Sequence, residues 1–268
     1  MSLSKKSKLY ILLILSLVAG VIFALFQTSS TTYTRDAVVA TAVKTDIVET
    51  KKVVEKTSAT APIDTYKVDK NFNLIPTDPA GNTKVVLLTI DDGPTKQSIA
   101  ILKILDDHKV KAIFFINGAN DRNYKDTIKK EFDAGHAIGN HTWSHKNLKQ
   151  IKNDVATKEI DSTTKLIADI TGANPQFFRS PFGISSDFSR EHVKKENMIS
   201  MNWSGSTKDW EKSARDKKVF VNNVMKDLHP GMIILMHEHQ WDTDALEDLI
   251  IAIKEKGYTF VDPKNITN

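Results

Sequence analysis

The chain has 268 residues, of which 40% are hydrophobic and 26% are charged, so it can form one catalytic domain with additional segments. It contains no cysteine, which excludes disulfide bonds, a cysteine nucleophile and zinc sites with cysteine ligands. The formal net charge is +4, and Lys5, Lys6 and Lys8 carry three of these charges. The remainder is nearly neutral, and its charge therefore gives no reason to expect nucleic-acid binding.

An uncharged, apolar run of 18 residues follows these lysines at positions 9–26. As a helix it would be roughly 27 Å long, close to the thickness of the hydrocarbon core of a bilayer. Because the lysines precede it, residues 1–8 are predicted to be cytoplasmic and the remainder extracytoplasmic. We predict a transmembrane signal anchor in the cell membrane. The alternative is a cleaved signal peptide and a secreted protein.

Residues 27–83 are rich in threonine, valine, lysine and aspartate and are predicted to be a stalk or linker. From residue 84 to residue 268, apolar strands alternate with amphipathic helices. Strands are predicted at 85–90, 112–116, 137–138, 176–178, 199–203, 232–236 and 258–261. Helices are predicted at 97–107, 127–134, 153–170, 190–196, 217–228 and 244–256. This alternation predicts an α/β fold with a parallel sheet.

About seven strands are too few for an eight-stranded barrel of about 250 residues. We therefore predict a distorted, incomplete (β/α) barrel with about seven parallel strands, and a doubly wound open sheet is the alternative. Most polar motifs of the chain follow the carboxyl ends of predicted strands, where the active sites of such barrels lie. This placement favours the barrel.

The first motif is the pair Asp91 and Asp92, which follows strand 85–90 and precedes a Gly93-Pro94 turn. Two adjacent carboxylates at a strand end cannot face one point in the same way. The pair therefore suits a metal ligand beside a proton-transferring group. Taken alone, an aspartate pair more often caps a turn or a helix.

His141 and His145 are four residues apart, so on a helical turn both imidazoles would face one ion. No glutamate follows the first histidine, which distinguishes the motif from the HExxH pattern of zinc proteases. Together with Asp92 they form a set of two histidines and one carboxylate. That set suits catalytic zinc and equally a non-haem iron site. Taken alone, paired surface histidines are common.

Two further motifs provide groups for charge stabilisation. Arg179 can hold a carboxylate with two hydrogen bonds. The alternative interpretation is a surface arginine in an ordinary loop. Pro181 and Gly183 predict a tight turn that aims the Phe182 N–H at a developing oxyanion.

His237 ends a predicted strand and is a candidate general acid, with His239 on the same strand face as a rival. Asp209 could bond this histidine and raise its pKa. Trp210 and Leu235 could form an apolar wall for a small acyl group.

These five motifs resemble those of the polysaccharide deacetylase family, the NodB-homology or carbohydrate esterase family 4 domain. In order, they read Thr89-Ile-Asp-Asp-Gly-Pro, His141-Thr-Trp-Ser-His, Arg179-Ser-Pro-Phe-Gly, Asp209-Trp and Leu235-Met-His. The resemblance covers roughly residues 84–261 and implies a distorted barrel. It also implies a divalent metal, zinc foremost, with cobalt or manganese as alternatives.

The resemblance implies a role for each matching residue. Asp91 resembles the catalytic base, Arg179 the residue that holds it, His237 the acid and Asp209 the partner of the acid. The remaining matches resemble the metal ligands (Asp92, His141 and His145), the oxyanion donor (the Phe182 N–H) and the walls of the acetyl pocket (Trp210 and Leu235).

Four positions depart from the family pattern. Ile90 replaces the usual Phe, Phe182 stands where Tyr is usual, Ser206 where Asp is usual and Glu238 where Asp often follows the acid. The Phe182 N–H survives its change, whereas a ring hydroxyl contact is lost. The Ser206 change puts a substrate or loop contact in doubt, but not the metal.

We therefore predict a metal-dependent hydrolase that removes N-acetyl groups from cell-wall glycan, foremost N-acetylglucosamine of peptidoglycan, and releases acetate. Alternative substrates are chitin oligomers, N-acetylmuramate and acetylxylan. Two other classes are a non-catalytic wall-binding protein, supported by Ser206 and Phe182, and a redox iron enzyme. The expected partners are the glycan and the membrane, without an obligate protein partner or nucleic acid.

Overall fold

The computed structural model describes residues 64–268, apart from the side chains of residues 121–123. The predicted cytoplasmic segment, the predicted anchor and the first part of the predicted stalk lie outside the described residues. Within residues 64–268, no helix combines the length and the apolar character needed to cross a bilayer.

Residues 64–268 contain ten strands and six α-helices. The strands are Tyr66–Val68 (β1), Leu74–Pro76 (β2), Val85–Gly93 (β3), Ala112–Ile116 (β4), Ala137–Asn140 (β5), Phe177–Phe178 (β6), Ile199–Ser200 (β7), Gly205–Ser206 (β8), Met232–His237 (β9) and Thr259–Phe260 (β10). The α-helices are Ser98–Asp107 (α1), Asp121–Asp133 (α2), Asn153–Thr171 (α3), Asp187–Lys195 (α4), Lys217–Met225 (α5) and Gln240–Glu255 (α6).

Seven parallel strands form the main sheet in the order β7-β6-β5-β4-β3-β9-β8, and β10 pairs with β3 outside this row. Strands β7 and β8 are the two ends of the row, yet only residues 201–204 separate them in the chain. Because one residue spans at most about 3.6 Å, these ends must lie within roughly 18 Å of each other. The sheet is therefore curled into an incomplete barrel, and the predicted parallel α/β fold is confirmed.

Strand β3 shows why the polar motif at its end points into the barrel. Its residues alternate between two apolar clusters. Val86 and Leu88 belong to the outer cluster, which includes helix residues, and Val85 and Leu87 belong to the inner cluster, inside the barrel. Both faces are covered, which accounts for the continuous apolar run. By the same period of two, Asp91 lies on the inner face of the sheet.

The last part of the predicted stalk is folded against the barrel. Strands β1 and β2 pair with each other, and Tyr66 and Leu74 are buried in the inner cluster. The Leu74 N–H donates to the Gly231 carbonyl, and the Thr267 N–H donates to the Tyr66 carbonyl. Residues 64–83 therefore belong structurally with the segment that begins at residue 84.

The sequence prediction differed from the structure where the barrel remains open. The strand predicted at 199–203 stops at Ser200, because the following residues cross between the two ends of the sheet. Strand β8 was not predicted, because its two residues, Gly205 and Ser206, are too few to show a period.

Candidate active site and metal-binding residues

The candidate residues converge at the carboxyl ends of the central strands. Asp91 of β3 is in register with His237 of β9, so the two proposed proton carriers start from neighbouring positions of one sheet. They open into a cavity of about 390 Å³. Its lining residues are Asp91, Asp92, His141, His145, Ser180, Phe182, Trp203, Trp210, Leu235 and His237.

An irregular backbone brings both aspartates to the same imidazole. The β3–β4 register shifts between Asp91 and Gly93, and Asp92 has a φ of 65°, in the left-handed region. The Oδ2 atom of Asp91 lies 3.7 Å from His141 Nε2, and the Oδ1 atom of Asp92 lies 3.6 Å from it. Asp91 is buried, whereas the side chain of Asp92 is 40% exposed, so the two carboxylates have different surroundings.

The Asp92, His141 and His145 side chains form a set that fits a divalent metal. One ligand atom from each lies within 4.8 Å of the others, and the Nε2 atoms of the two imidazoles are 3.6 and 3.5 Å from Asp92 Oδ1. That oxygen is buried without a hydrogen-bond partner among the described residues. A buried, unpaired carboxylate oxygen facing two imidazole nitrogens is what a bound cation would satisfy.

His141 is held in the form that a metal ligand requires. Its Nδ1 donates a hydrogen bond to the Arg179 carbonyl oxygen at 2.7 Å, which leaves the Nε2 lone pair facing Asp92. Burial, with the charge of His145 as a further contribution, outweighs the attraction of Asp92 and lowers the pKa of His141 to about 3. The imidazole is therefore neutral.

The segment that carries the two histidines is a loop, and not the helical turn on which their spacing would turn both imidazoles to one ion. Thr142 and His145 have φ angles of 67° and 55°, which a helix does not allow. Asn117 supports the loop by donating from Nδ2 to the His141 carbonyl at 2.8 Å. The His145 ring contacts the Phe182 ring edge to face, with the centroids 4.6 Å apart.

Arg179 is fully buried and fixes Asp91 with a single hydrogen bond, from Nη1 to Oδ1 at 2.6 Å. The sequence suggested a two-bond clamp, but the other donors go to the Thr89 hydroxyl and to the carbonyl oxygens of Met201 and Asn202. Burial raises the pKa of Asp91, and the Arg179 charge opposes this effect. Asp91 is therefore a buried carboxyl group that is held in place by its bond to Arg179.

Asp209 holds His237 through two bonds. Its Oδ2 accepts from the His237 backbone N–H at 2.6 Å, and its Oδ1 accepts from Nδ1 at 2.8 Å. Burial lowers the pKa of His237, but the Asp209 bond and the charges of Asp209, Asp91 and Asp92 raise it to about 9. His237 is therefore protonated at neutral pH, with Nε2 facing the cavity 3.8 Å from Asp92 Oδ2.

The rival His239 begins α6 and lies outside the cavity lining. Its Nδ1 bonds Asp242 Oδ2 at 2.8 Å, and its ring stacks on Trp241 with the centroids 4.3 Å apart. Asp209, His239 and Asp242 also bring ligand atoms within 4.8 Å of one another. However, both Asp209 oxygens already accept bonds from His237.

The turn after Arg179 places Phe182 among the residues that line the cavity. Two hydrogen bonds close this turn, from Gly183 N to the Ser180 carbonyl and from Ile184 N to the Pro181 carbonyl. The Phe182 N–H takes part in neither, and Phe182 has a φ of 59°. Pro181 is buried and shapes the turn without lining the cavity.

The cavity wall combines predicted and unpredicted residues. Leu235 is buried, and Trp210 is 55% exposed with its ring edge to face with His237 at 6.1 Å. The sequence prediction missed Ser180 and Trp203, which also line the cavity. Ser180 lies within a motif already singled out, whereas nothing in the sequence indicated that Trp203 turns inward.

Comparisons with known proteins agree with this geometry. Residues 78–199 match the family described as polysaccharide deacetylase. A peptidoglycan-N-acetylglucosamine deacetylase of Bacillus cereus is 35% identical over 186 residues, 67% of this chain and 67% of that protein. Peptidoglycan-N-acetylmuramic acid deacetylase PdaA of Bacillus subtilis is 33% identical, over 67% of this chain and 71% of that protein.

A solved structure, that of BA3943 from Bacillus anthracis, superposes with a TM-score of 0.63 at 31% identity. The match covers 67% of this chain and 64% of BA3943, so it spans less than two thirds of that protein. BA3943 is described as a carbohydrate esterase family 4 pseudoenzyme, and a mutant of it has restored activity.

The chain belongs to the polysaccharide deacetylase family, as the resemblance implied. The members of this family are hydrolases, and the deacetylases of carbohydrate esterase family 4 depend on a metal.

Proposed function

We propose that this protein is a metal-dependent deacetylase that hydrolyses the N-acetyl groups of peptidoglycan, with N-acetylglucosamine as the preferred sugar. The observation that carries this proposal is the meeting of four functions in one cavity. A fitting metal-ligand set, a carboxylate held by a buried arginine, Phe182 with a backbone N–H outside the bonds of its turn, and a protonated histidine line the same space.

Asp92, His141 and His145 would hold the divalent cation, for which zinc is the first candidate, because two imidazoles and one carboxylate form a common catalytic zinc set. Cobalt and manganese are the alternatives. When bound there, the cation supplies a Lewis acid for the acetamide carbonyl and for water. Asp91 accepts the proton of the attacking water, and Arg179 keeps its carboxylate in place.

The remaining residues act on the two sides of the amide bond. The Phe182 N–H donates to the oxyanion that forms when water adds to the carbonyl carbon. His237 transfers its Nε2 proton to the amine nitrogen as the C–N bond breaks, which yields acetate and a free amino sugar. Leu235 and Trp210 enclose the acetyl methyl group.

The relatives include deacetylases named for N-acetylglucosamine and for N-acetylmuramic acid, so the assay must separate the two sugars. The described residues 64–268, which include the β1–β2 pair, lie in one compact unit, so the fragment 59–268 is used for the assay. It is stripped of metal, restored with zinc and incubated with peptidoglycan. Released acetate and the mass of the muropeptides are then measured.

Zinc-dependent acetate release, with the mass loss on N-acetylglucosamine, is the expected result. Mass loss on N-acetylmuramic acid would change the substrate but keep the activity. Binding of glycan without acetate release, with zinc verified in the site, would instead favour the non-catalytic class that Phe182 and Ser206 suggested.

The same proposal places the catalytic domain outside the cell, on a signal anchor at residues 9–26. Its support is the uncharged run behind Lys5, Lys6 and Lys8 and the cell-wall substrates for which the relatives are named. Fractionation of cells that produce the full chain tests it. Recovery of the protein in the medium would indicate cleavage instead.

A further inference from the structure

Two carboxyl groups that the proposed mechanism does not use are buried beside the active-site turn. Glu131, in α2, is 0% exposed, and neither of its carboxyl oxygens has a hydrogen-bond partner among the described residues. Glu238 directly follows His237 and is 6% exposed, and its Oε1 also lacks a partner in the described part. Burying carboxyl oxygens without partners is costly, so the arrangement calls for an explanation.

The other oxygen of Glu238 accepts hydrogen bonds from residues at the start of α1. Its Oε2 accepts from the Thr95 N–H and the Thr95 hydroxyl, both at 2.9 Å, and from the Ser98 hydroxyl at 2.5 Å. The Ser98 hydroxyl also lies beside Glu131 and lowers its pKa. A hydroxyl has only one proton to donate, and Ser98 already donates it to Glu238.

The charges around the pair do not support two carboxylates. In residues 64–268, neither side chain forms an ion pair with a lysine, an arginine or a histidine. The charge of Glu238 acts on Glu131, and that of Asp92 acts on Glu238. Burial and the neighbouring Glu238 raise the pKa of Glu131 well above its ordinary value. One proton is therefore expected to stay with the pair at neutral pH.

We propose that Glu131 is a neutral carboxylic acid that shares its proton with the Glu238 carboxylate, and that this carboxyl pair positions the two halves of the active site. Glu238 follows His237, the last residue of β9, and accepts from Thr95, which follows Asp91–Pro94 at the end of the neighbouring strand β3. It also lies against that turn, because a Cβ at Gly93 would come within 2.4 Å of Glu238 Oε1. The pair thus links the ends of β3 and β9 without contacting substrate.

The first test compares the zinc-loaded wild-type protein with Glu131→Gln, which keeps a donor but cannot ionise. The raised pKa of Glu131 predicts that wild-type stability falls as pH rises from the ordinary glutamate pKa, about 4.3, toward the raised folded-state value. Glu131→Gln lacks this loss. The variant should therefore melt near the wild-type temperature at about pH 5 and higher than the wild type at about pH 8.

The matched control is Glu191→Gln on the exposed face of α4, which should show no pH-dependent difference from the wild type. Infrared difference spectra give a second, activity-independent readout. The wild type should show the carbonyl stretch of a protonated carboxyl group at neutral pH, and Glu131→Gln should lack it. Neither measurement depends on deacetylase activity, so the inference can fail while the proposed function stands, and the reverse also holds.

The positioning role is tested by kinetics. Glu131→Leu removes the donor and should lower kcat about tenfold with a smaller change in KM, whereas Glu131→Gln should restore kcat. If Glu131→Leu does not fold, the glutamine variant and the infrared band still decide the question. Lower stability of Glu131→Gln at about pH 8, with a second equivalent of metal lost, would show an ionised, cation-binding Glu131 and overturn the proposal.

Discussion

The two histidine sites at opposite sides of the cavity use one residue type for opposite purposes. At His141 the second ring nitrogen faces a backbone carbonyl, and burial lowers the pKa to about 3. At His237 the second ring nitrogen faces the Asp209 carboxylate, and the pKa rises to about 9. Both rings point Nε2 toward Asp92, so they differ in exposure, 3% for the His141 side chain and 20% for that of His237, and in the partner of Nδ1.

From this contrast we propose that one side of the cavity holds a cation and the other carries a proton. A neutral imidazole offers a lone pair to a metal, whereas a protonated imidazole offers a proton to a leaving amine. Asp92 lies between them, with Oδ1 toward His141 and His145 and Oδ2 toward His237. Changes on the two sides should therefore have distinguishable signatures.

The largest effect is expected from His141→Ala, which removes the buried member of the metal-ligand set. Bound zinc should be lost and kcat/KM should fall by about 10⁴-fold or more, because the Lewis acid is lost. Zinc content by elemental analysis and acetate release measure the two effects. His192→Ala, which removes a surface imidazole bonded to Asp161, is the control and should change neither. Retention of stoichiometric zinc with full activity in His141→Ala would contradict the metal assignment.

Asp91→Asn should abolish proton transfer while leaving zinc in place, with a fall in kcat of about 10³-fold. It should also lower the free energy of unfolding by about 3 kcal/mol, because Arg179 is fully buried and would lose its charged partner. Chemical denaturation and zinc analysis separate this variant from the ligand variants. A fully active Asp91→Asn protein would exclude Asp91 as the base.

The two histidine sites show which features of the fold and of the site could be predicted from the sequence. The strands β3, β4 and β9 could be predicted because continuous apolar runs bounded by turns identify buried parallel strands. Their ends placed Asp91 and His237 at one edge of the sheet, and the structure brings them there. The partner of each ring nitrogen depends on side chains distant in sequence. For His237 the family resemblance supplied Asp209, and for His141 nothing in the sequence indicated the Arg179 carbonyl.

The backbone conformations that bring the ligands together could also not be predicted from the sequence. Asp92, Thr142, His145 and Phe182 all have positive φ angles, which are uncommon for residues other than glycine and leave no pattern in a single sequence. For this reason the spacing of His141 and His145 fits a helical turn in the sequence, whereas the structure holds them on a loop. The burial of Glu131 was missed for another reason, since a glutamate on a helix is ordinarily expected at the surface.

Asp209→Asn should make His237 more like His141 by removing the negative charge from Nδ1. The pKa of His237 should fall, so the alkaline limb of kcat, expected near pH 9 in the wild type, should move to lower pH. At neutral pH we expect a loss of kcat of about 10²-fold, because less of the acid is protonated and its ring is less firmly held.

Stability provides an independent check on the same variant. A raised histidine pKa contributes stability that is complete below the unfolded-state pKa, about 6.5, and is lost as pH rises through about 9. Asp209→Asn should therefore be less stable than the wild type at about pH 6, with a smaller difference above about pH 9. An unchanged pH–rate profile would show that Asp209 does not control the acid.

The smallest effect is expected from His239→Gln, although this histidine is two residues from the proposed acid. Its ring is held outside the cavity lining by Asp242 and Trp241, and a glutamine can still accept or donate a hydrogen bond there. We expect kcat within about twofold of the wild type and a loss of stability of about 1 kcal/mol, because His239 is the N-cap of α6 and bonds the buried Asp242. His237→Gln, measured beside it, should lose about 10²-fold or more in kcat. If the two losses in kcat were equal, the proton donor would not be confined to the Asp209-bonded ring of His237. The comparison of His141 with His237 would then have to include His239 as a third site.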